Sequence, residues 1–122
     1  MLKQSESKIP KWKLEAYETL IGLFSEVDRK GATVPYTSLN GYMTSYIDKH
    51  TGELGLRLSK QDISEFIEKE NSELLVSYGA VMKDFVRVPD DVLKNQIKMK
   101  GYFQKSWNHV AKLPPKPTKK KQ

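Results

Sequence analysis

Tyr17, Leu20, Ile21, Phe24 and Val27 recur at intervals of three and four, with Glu15, Glu18 and Glu26 between them. That spacing predicts one buried helical face, and Pro10 fits only near the start, so a helix is expected over about residues 11–27. From Gly31 the pattern changes. Val34 precedes Pro35 and is pushed towards extended backbone, and "SLNGY" (38–42) reads as a turn. "YMTSYIDK" then carries β-branched and aromatic residues, and "GELGLRLS" alternates: Leu54, Leu56 and Leu58 to one face, Gly55 and Arg57 to the other. The polar "DKHTGE" between them, with Gly52 free to take positive φ, predicts a β-hairpin.

Ser59 and Asp62 match a capping box ahead of Ile63, Phe66 and Ile67, so a second helix is expected over about 60–70. "LLVSYGAVMKDFVRVP" returns to strand composition, interrupted at Gly79 by a second hairpin or a bulge. Pro89 closes that run and Asp90 or Asp91 caps the next helix. Val92, Leu93, Ile97, Phe103, Trp107, Val110 and Leu113 continue it. Gly101 costs about 1 kcal/mol inside a helix, which predicts a break near 98–101. Trp12 and Trp107 are expected to cap the core from the first and last helices, and one of them can mark a dimer contact. The order is helix, two or three strands, helix, one or two strands, helix. That is an α+β domain with an antiparallel sheet of three to five strands and helices packed on it.

Composition narrows this modestly. The 122 residues suit one domain, placed at 11–113, after a polar flexible segment 1–10 and before a basic, disordered Pro/Lys tail at 114–122. Mean hydropathy of −0.62, no run approaching a membrane span and no signal-peptide centre predict a soluble, cytoplasmic protein without a membrane role. The absence of cysteine excludes disulfides, thiolate metal sites and a cysteine nucleophile. The net charge of +6 belongs to the ends. Residues 14–111 carry 12 basic and 14 acidic side chains, whereas the last eleven residues hold five lysines and no acid.

Several stretches carry a resemblance in their order and spacing: "KGATVPYTSLNGYM", "GLRLS", "YGAVMKDFVRVP" and "LPPKPTKKK". Over about residues 28–121 the chain resembles the N-terminal domain of the TfoX/Sxy family, and more closely its small stand-alone bacterial members. The resemblance implies a TfoX-N-like or YjbR-like sheet flanked by helices, and an interaction or regulatory role rather than catalysis. TfoX itself acts in competence regulation and has a second helical domain, for which this chain has no room, so that role does not carry over. The stand-alone members have no activity to transfer.

Candidate chemistry is sparse. A phosphate loop needs Gly-x-x-x-x-Gly-Lys-Ser/Thr, but Gly31 and Gly41 are ten apart and a strand follows. "DKHTGE" lacks a calcium loop's alternating acids, and His50 and His109 have no partner ligands at metal spacing. Ser106 and His109 can share a helix face, yet no orienting acid or oxyanion donor accompanies them. No catalytic, metal or cofactor site is therefore predicted. Two binding sites are. Tyr36, Tyr42, Tyr46, Arg57 and Arg87 can line a small-ligand pocket at the tyrosine-rich hairpin. Lys116, Lys119, Lys120 and Lys121 can touch phosphates of a nucleic acid, weakly and with steep salt dependence. The leading expectation is a non-catalytic module that binds a protein partner or a second copy of itself. Metabolite binding and nucleic-acid binding are the alternatives.

Overall fold

A computed structural model describes residues 8–31 and 33–115. The tail lysines 116, 119, 120 and 121, most of the proposed tail and most of the segment 1–10 lie outside the described residues. The architecture is the expected α+β arrangement: a five-stranded antiparallel sheet with helices.

Helix α1 (Lys11–Ile21) buries Tyr17, Leu20 and Ile21. It stops six residues before the expected end. Leu23 N–H donates to Leu20 O and Phe24 N–H to Ile21 O, so tight i→i+3 turns replace the α-helical ladder. Phe24 and Val27 still reach the same core, which is why their spacing imitated a longer helix.

Strands β1 (Tyr36–Leu39), β2 (Tyr42–Ile47) and β3 (Leu54–Arg57) follow as a meander. The β1–β2 turn sets Asn40 at φ 56° and Gly41 at φ 85°. Two left-handed residues in succession define the tight turn that matches strand twist, and Asn-Gly is the pair best suited to it. Helix α2 (Lys60–Glu70) has the predicted cap, with Ser59 Oγ accepting from Asp62 N–H at 3.2 Å.

Strands β4 (Leu74–Ser77) and β5 (Ala80–Val88) form the second hairpin around Tyr78-Gly79. Helix α3 (Asp90–Lys94) follows, with Pro89 rather than either aspartate at its N-cap position and no side-chain cap; Asp90 and Asp91 sit in its first turn. Helix α4 (Gln96–Ala111) runs unbroken through Gly101, which sits in open space on the exposed side. The break expected at Gly101 lies instead at Asn95, whose side chain accepts from Lys98 N–H at 3.1 Å. A local cap with ψ near 88° decides the boundary more strongly than glycine's helix penalty.

The strand order is β1-β2-β3-β5-β4. The strands divide their residues between two faces, by period-two alternation along β3 and with register shifts on β2 and β5. Leu54, Leu56, Val86 and Val88 join Tyr17, Leu20, Met99 and Phe103 in the main core beneath the helices. Trp12 and Trp107 pack partly buried against it. Hydroxyls at the β1–β2 side of this layer satisfy one another: Tyr17 bonds Ser45 at 2.7 Å, Ser45 bonds Thr37 at 2.6 Å, and Thr37 bonds Thr44 at 2.5 Å. Ser106 Oγ donates to Thr44 O from α4.

Candidate functional site

The sheet's other face carries a second, smaller cluster of Tyr46, Leu75 and Phe85, flanked by Val34, Tyr36, Met43 and Met82. Its geometry follows from a break in register. Leu74 pairs with Val86, but the next pair is Leu75 with Met82, so Lys83, Asp84 and Phe85 are extra on β5. An insertion of this kind bends the strand that carries it. The hairpin's distal half therefore curls over the outer face. Leu75, on β4, reaches across β5 to β3, where a Cβ on Gly55 would come within 2.5 Å of its Cδ2. Ser77 Oγ reaches Asp48 Oδ2 at 2.6 Å, and the Tyr78 ring meets His50 edge-on at 5.9 Å.

Between the curled hairpin and the β1–β2 end lies an open groove of about 470 Å³. Met43, Tyr46 and Phe85 form its floor region, Val34 and Gly41 lie towards β1, and Tyr78 and Met82 come from the hairpin. Among the described residues, its one charged lining residue is Arg57. The guanidinium is held by Nε donating to Met43 O at 2.7 Å and by stacking over Phe85 at 4.7 Å and Tyr42 at 5.6 Å. Its carboxylate partner, Asp84, stands at 3.4 Å and is largely exposed. Burial pulls the Arg57 pKa down, and Asp84 and Tyr42 only partly offset it. Here is a cation fixed in place and thinly compensated. Among the described residues, the buried Tyr46 hydroxyl finds no hydrogen-bond partner. Burial raises its pKa and Asp48 adds to the rise; the neighbouring Ser77 hydroxyl opposes it but is committed to Asp48.

Of the five residues proposed from sequence, Tyr46 and Arg57 line the groove. The Tyr42 ring lies under Arg57, with its hydroxyl donating to Pro114 O at 3.1 Å. Tyr36 packs against the cluster. Arg87 shares the outward row of Tyr36, Tyr46 and Gly55, but its guanidinium is drawn off to Glu73 at 3.2 Å and Glu53 at 4.0 Å. Sequence reasoning missed Met43, which the extra residue Thr44 on β2 brings to the face of Tyr46, and it missed Met82, Phe85 and Tyr78, because only the curled hairpin carries β4–β5 residues to the β2 side. The Ser106 and His109 pair does not assemble: Ser106 is fully buried on the Thr44 carbonyl. Among the described residues, no three histidine or acidic side chains gather to hold a metal ion, and no helix is long and apolar enough to cross a membrane.

Fold and site together define an α+β protein whose antiparallel sheet keeps one face under helices and opens a ligand-sized, aromatic groove on the other. No family model matches the chain, and no curated protein matches it.

Proposed function

We propose that this protein is a non-catalytic binding module that receives apolar side chains of a protein partner in the groove on its helix-free face. The observation that carries this reading is the groove itself. About 470 Å³ of open space is lined by two methionines and the rings of Tyr46 and Phe85 and rimmed by an exposed tyrosine, Tyr78. Methionine and aromatic surfaces adapt to and anchor partner side chains. The groove's polar atoms suit contact better than proton transfer: a guanidinium such as that of Arg57 does not give up its proton in proteins, and Tyr46, with its pKa raised by burial, stays a neutral phenol at physiological pH. The TfoX-N-like resemblance of the sequence supports a regulatory setting for such a module, and the α-β-β-β-α-β-β-α-α element order is compatible with it.

Affinity selection of displayed peptides tests this. The recovered peptides are expected to bind the wild-type protein and to lose at least about tenfold in affinity, 1.4 kcal/mol, against Met82→Trp, which fills the groove. Peptides indifferent to that substitution would remove the groove from the function. A second reading, a small apolar carboxylate held by Arg57, is favoured by the volume, which falls within the usual range of small-molecule sites. A thermal-shift screen that responds to carboxylates in wild type but not in Arg57→Met would favour it over the first. Nucleic-acid binding through lysines 116, 119, 120 and 121 is separable by its salt dependence and by truncation of the tail.

A further inference from the structure

The two edges of the sheet are treated differently. Along β1, Lys30 bridges Tyr36 through a pair of backbone hydrogen bonds at 2.8 and 3.0 Å, and Lys30 Nζ reaches Ser38 Oγ at 2.9 Å. That edge is covered and guarded by a lysine, the usual device against strand addition. The other edge is β4, and among the described residues none guards it in this way. Leu74 through Met82 include no charged side chain, and three large hydrophobic groups of this hairpin are more than half exposed: Val76 at 53%, Tyr78 at 67% and Val81 at 55%.

We infer that two copies of this chain pair edge to edge through β4, antiparallel about a two-fold axis at Val76. The backbone sets that centre. The two-residue Tyr78-Gly79 turn is closed by Ser77 and Ala80 as a hydrogen-bonded pair, so the next pair, Val76 and Val81, is not hydrogen-bonded across β4 and β5. Val76 therefore turns both its N–H and its C=O to the open edge, where Val76 of a second copy can exchange both bonds with it.

The side chains then fit. Val76 stands beside its own symmetry mate, with Val81 of each copy on the outer flanks, giving a continuous row of four valines across the joint. β-branched pairs of this kind stabilise antiparallel strands. The charges also favour self-pairing over an acidic or basic strand. Leu75 falls opposite Ser77 and Leu74 opposite Tyr78, so no charge meets a like charge. Glu73, the acid just outside the strand, is already paired with Arg87. The groove lies on the face of Leu75 and Met82, opposite to Val76 and Val81, and stays open in the pair.

Sedimentation equilibrium of the full chain from low to high micromolar concentration tests the inference. The expected mass rises from 14.1 kDa to twice that value. Val76→Lys is expected to stay at 14.1 kDa with an unchanged far-ultraviolet circular dichroism spectrum, while Val76→Thr keeps the dimer. In the wild-type protein, hydrogen exchange at the Val76 amide is expected to slow at least tenfold between the dilute and concentrated ends. A single mass of 14.1 kDa throughout overturns the proposal. So does a dimer that survives Val76→Lys, or one that forms without protecting the Val76 amide. The exchange measurement needs no variant, so a misfolded lysine mutant leaves the test intact. A groove substitution such as Met82→Trp leaves this dimer untouched, which separates its failure from that of the groove.

Discussion

Tyr78 occupies a position that its residue type does not favour. At φ 54° it sits in left-handed backbone, where asparagine or glycine is at home and a bulky L-residue carries strain of about 1–2 kcal/mol. Its ring is two-thirds exposed and rims the groove, so burial does little to offset that cost. Strain retained at an exposed aromatic is a pattern of binding sites rather than of cores. Tyr78→Asn is accordingly expected to stabilise the fold by about 1 kcal/mol, raising the melting temperature by roughly 4 °C, while weakening peptide binding. A variant that loses stability instead would show that the ring, through its contact with His50, holds the hairpin down.

At the scale of elements, the β1–β2 hairpin and helix α4 are fastened through one residue. Asn40 Nδ2 donates to Val110 O at 3.3 Å, a carbonyl that also accepts from Leu113 N–H, and lies 3.5 Å from Leu113 O, tying the turn to the C-terminal end of α4. The same residue takes φ 56°. Two substitutions separate these contributions. Asn40→Gly keeps the backbone freedom and loses only the long hydrogen bonds, at an expected cost under about 1 kcal/mol. Asn40→Ala loses both and should cost about 1–2 kcal/mol more than the glycine variant. Urea unfolding midpoints compared at a common slope measure the difference, and equal midpoints would show that the turn's backbone conformation carries no stability.

For the whole molecule, buried phenols set an alkaline limit. Burial pushes Tyr17 up to about 12, against opposing hydrogen bonds from Ser45 and Thr37 and the charge of Arg29. Burial and the adjacent Glu70 carboxylate also raise Tyr102, whose hydroxyl donates to Glu70 Oε2 at 2.5 Å. Unfolded tyrosines ionise near 10 while the folded ones keep their protons, so above that pH the unfolded state binds fewer protons. Stability is therefore full below about pH 10 and falls as pH rises from 10 towards 12, by on the order of 2–3 kcal/mol from Tyr17 alone. Denaturant titrations at stepped pH measure this. Tyr17→Phe should flatten the decline, and an unchanged slope would assign it to other groups.

Much of this protein was legible from local pattern. Period-two alternation at Leu54, Leu56 and Leu58, the Ser59 cap and the Asn40-Gly41 turn each act over a few residues, so they identify strands, a helix start and a hairpin without knowledge of neighbours. The α+β class follows from their order. Helix ends were less legible. Phe24 and Val27 kept a helical spacing in a chain that had left the helix, because a core accepts apolar groups from any backbone that reaches it. Gly101 lay on an exposed face and broke nothing, while Asn95 supplied a cap. The site was legible only in half. Arg57 announces an outward face through alternation along β3, and Tyr46 stands out only as one of the tyrosines of the first hairpin. Their companions Met82, Phe85 and Tyr78 join them through three extra residues on β5 that bend a hairpin across the sheet. Sequence thus determined which residues face outward along β3, where backbone periodicity runs unbroken, but not along β2 and β5, where extra residues shift the alternation. Tertiary structure decided which of them meet in a groove and which edge stays open, because those depend on strand order and curl, which are long-range packing outcomes.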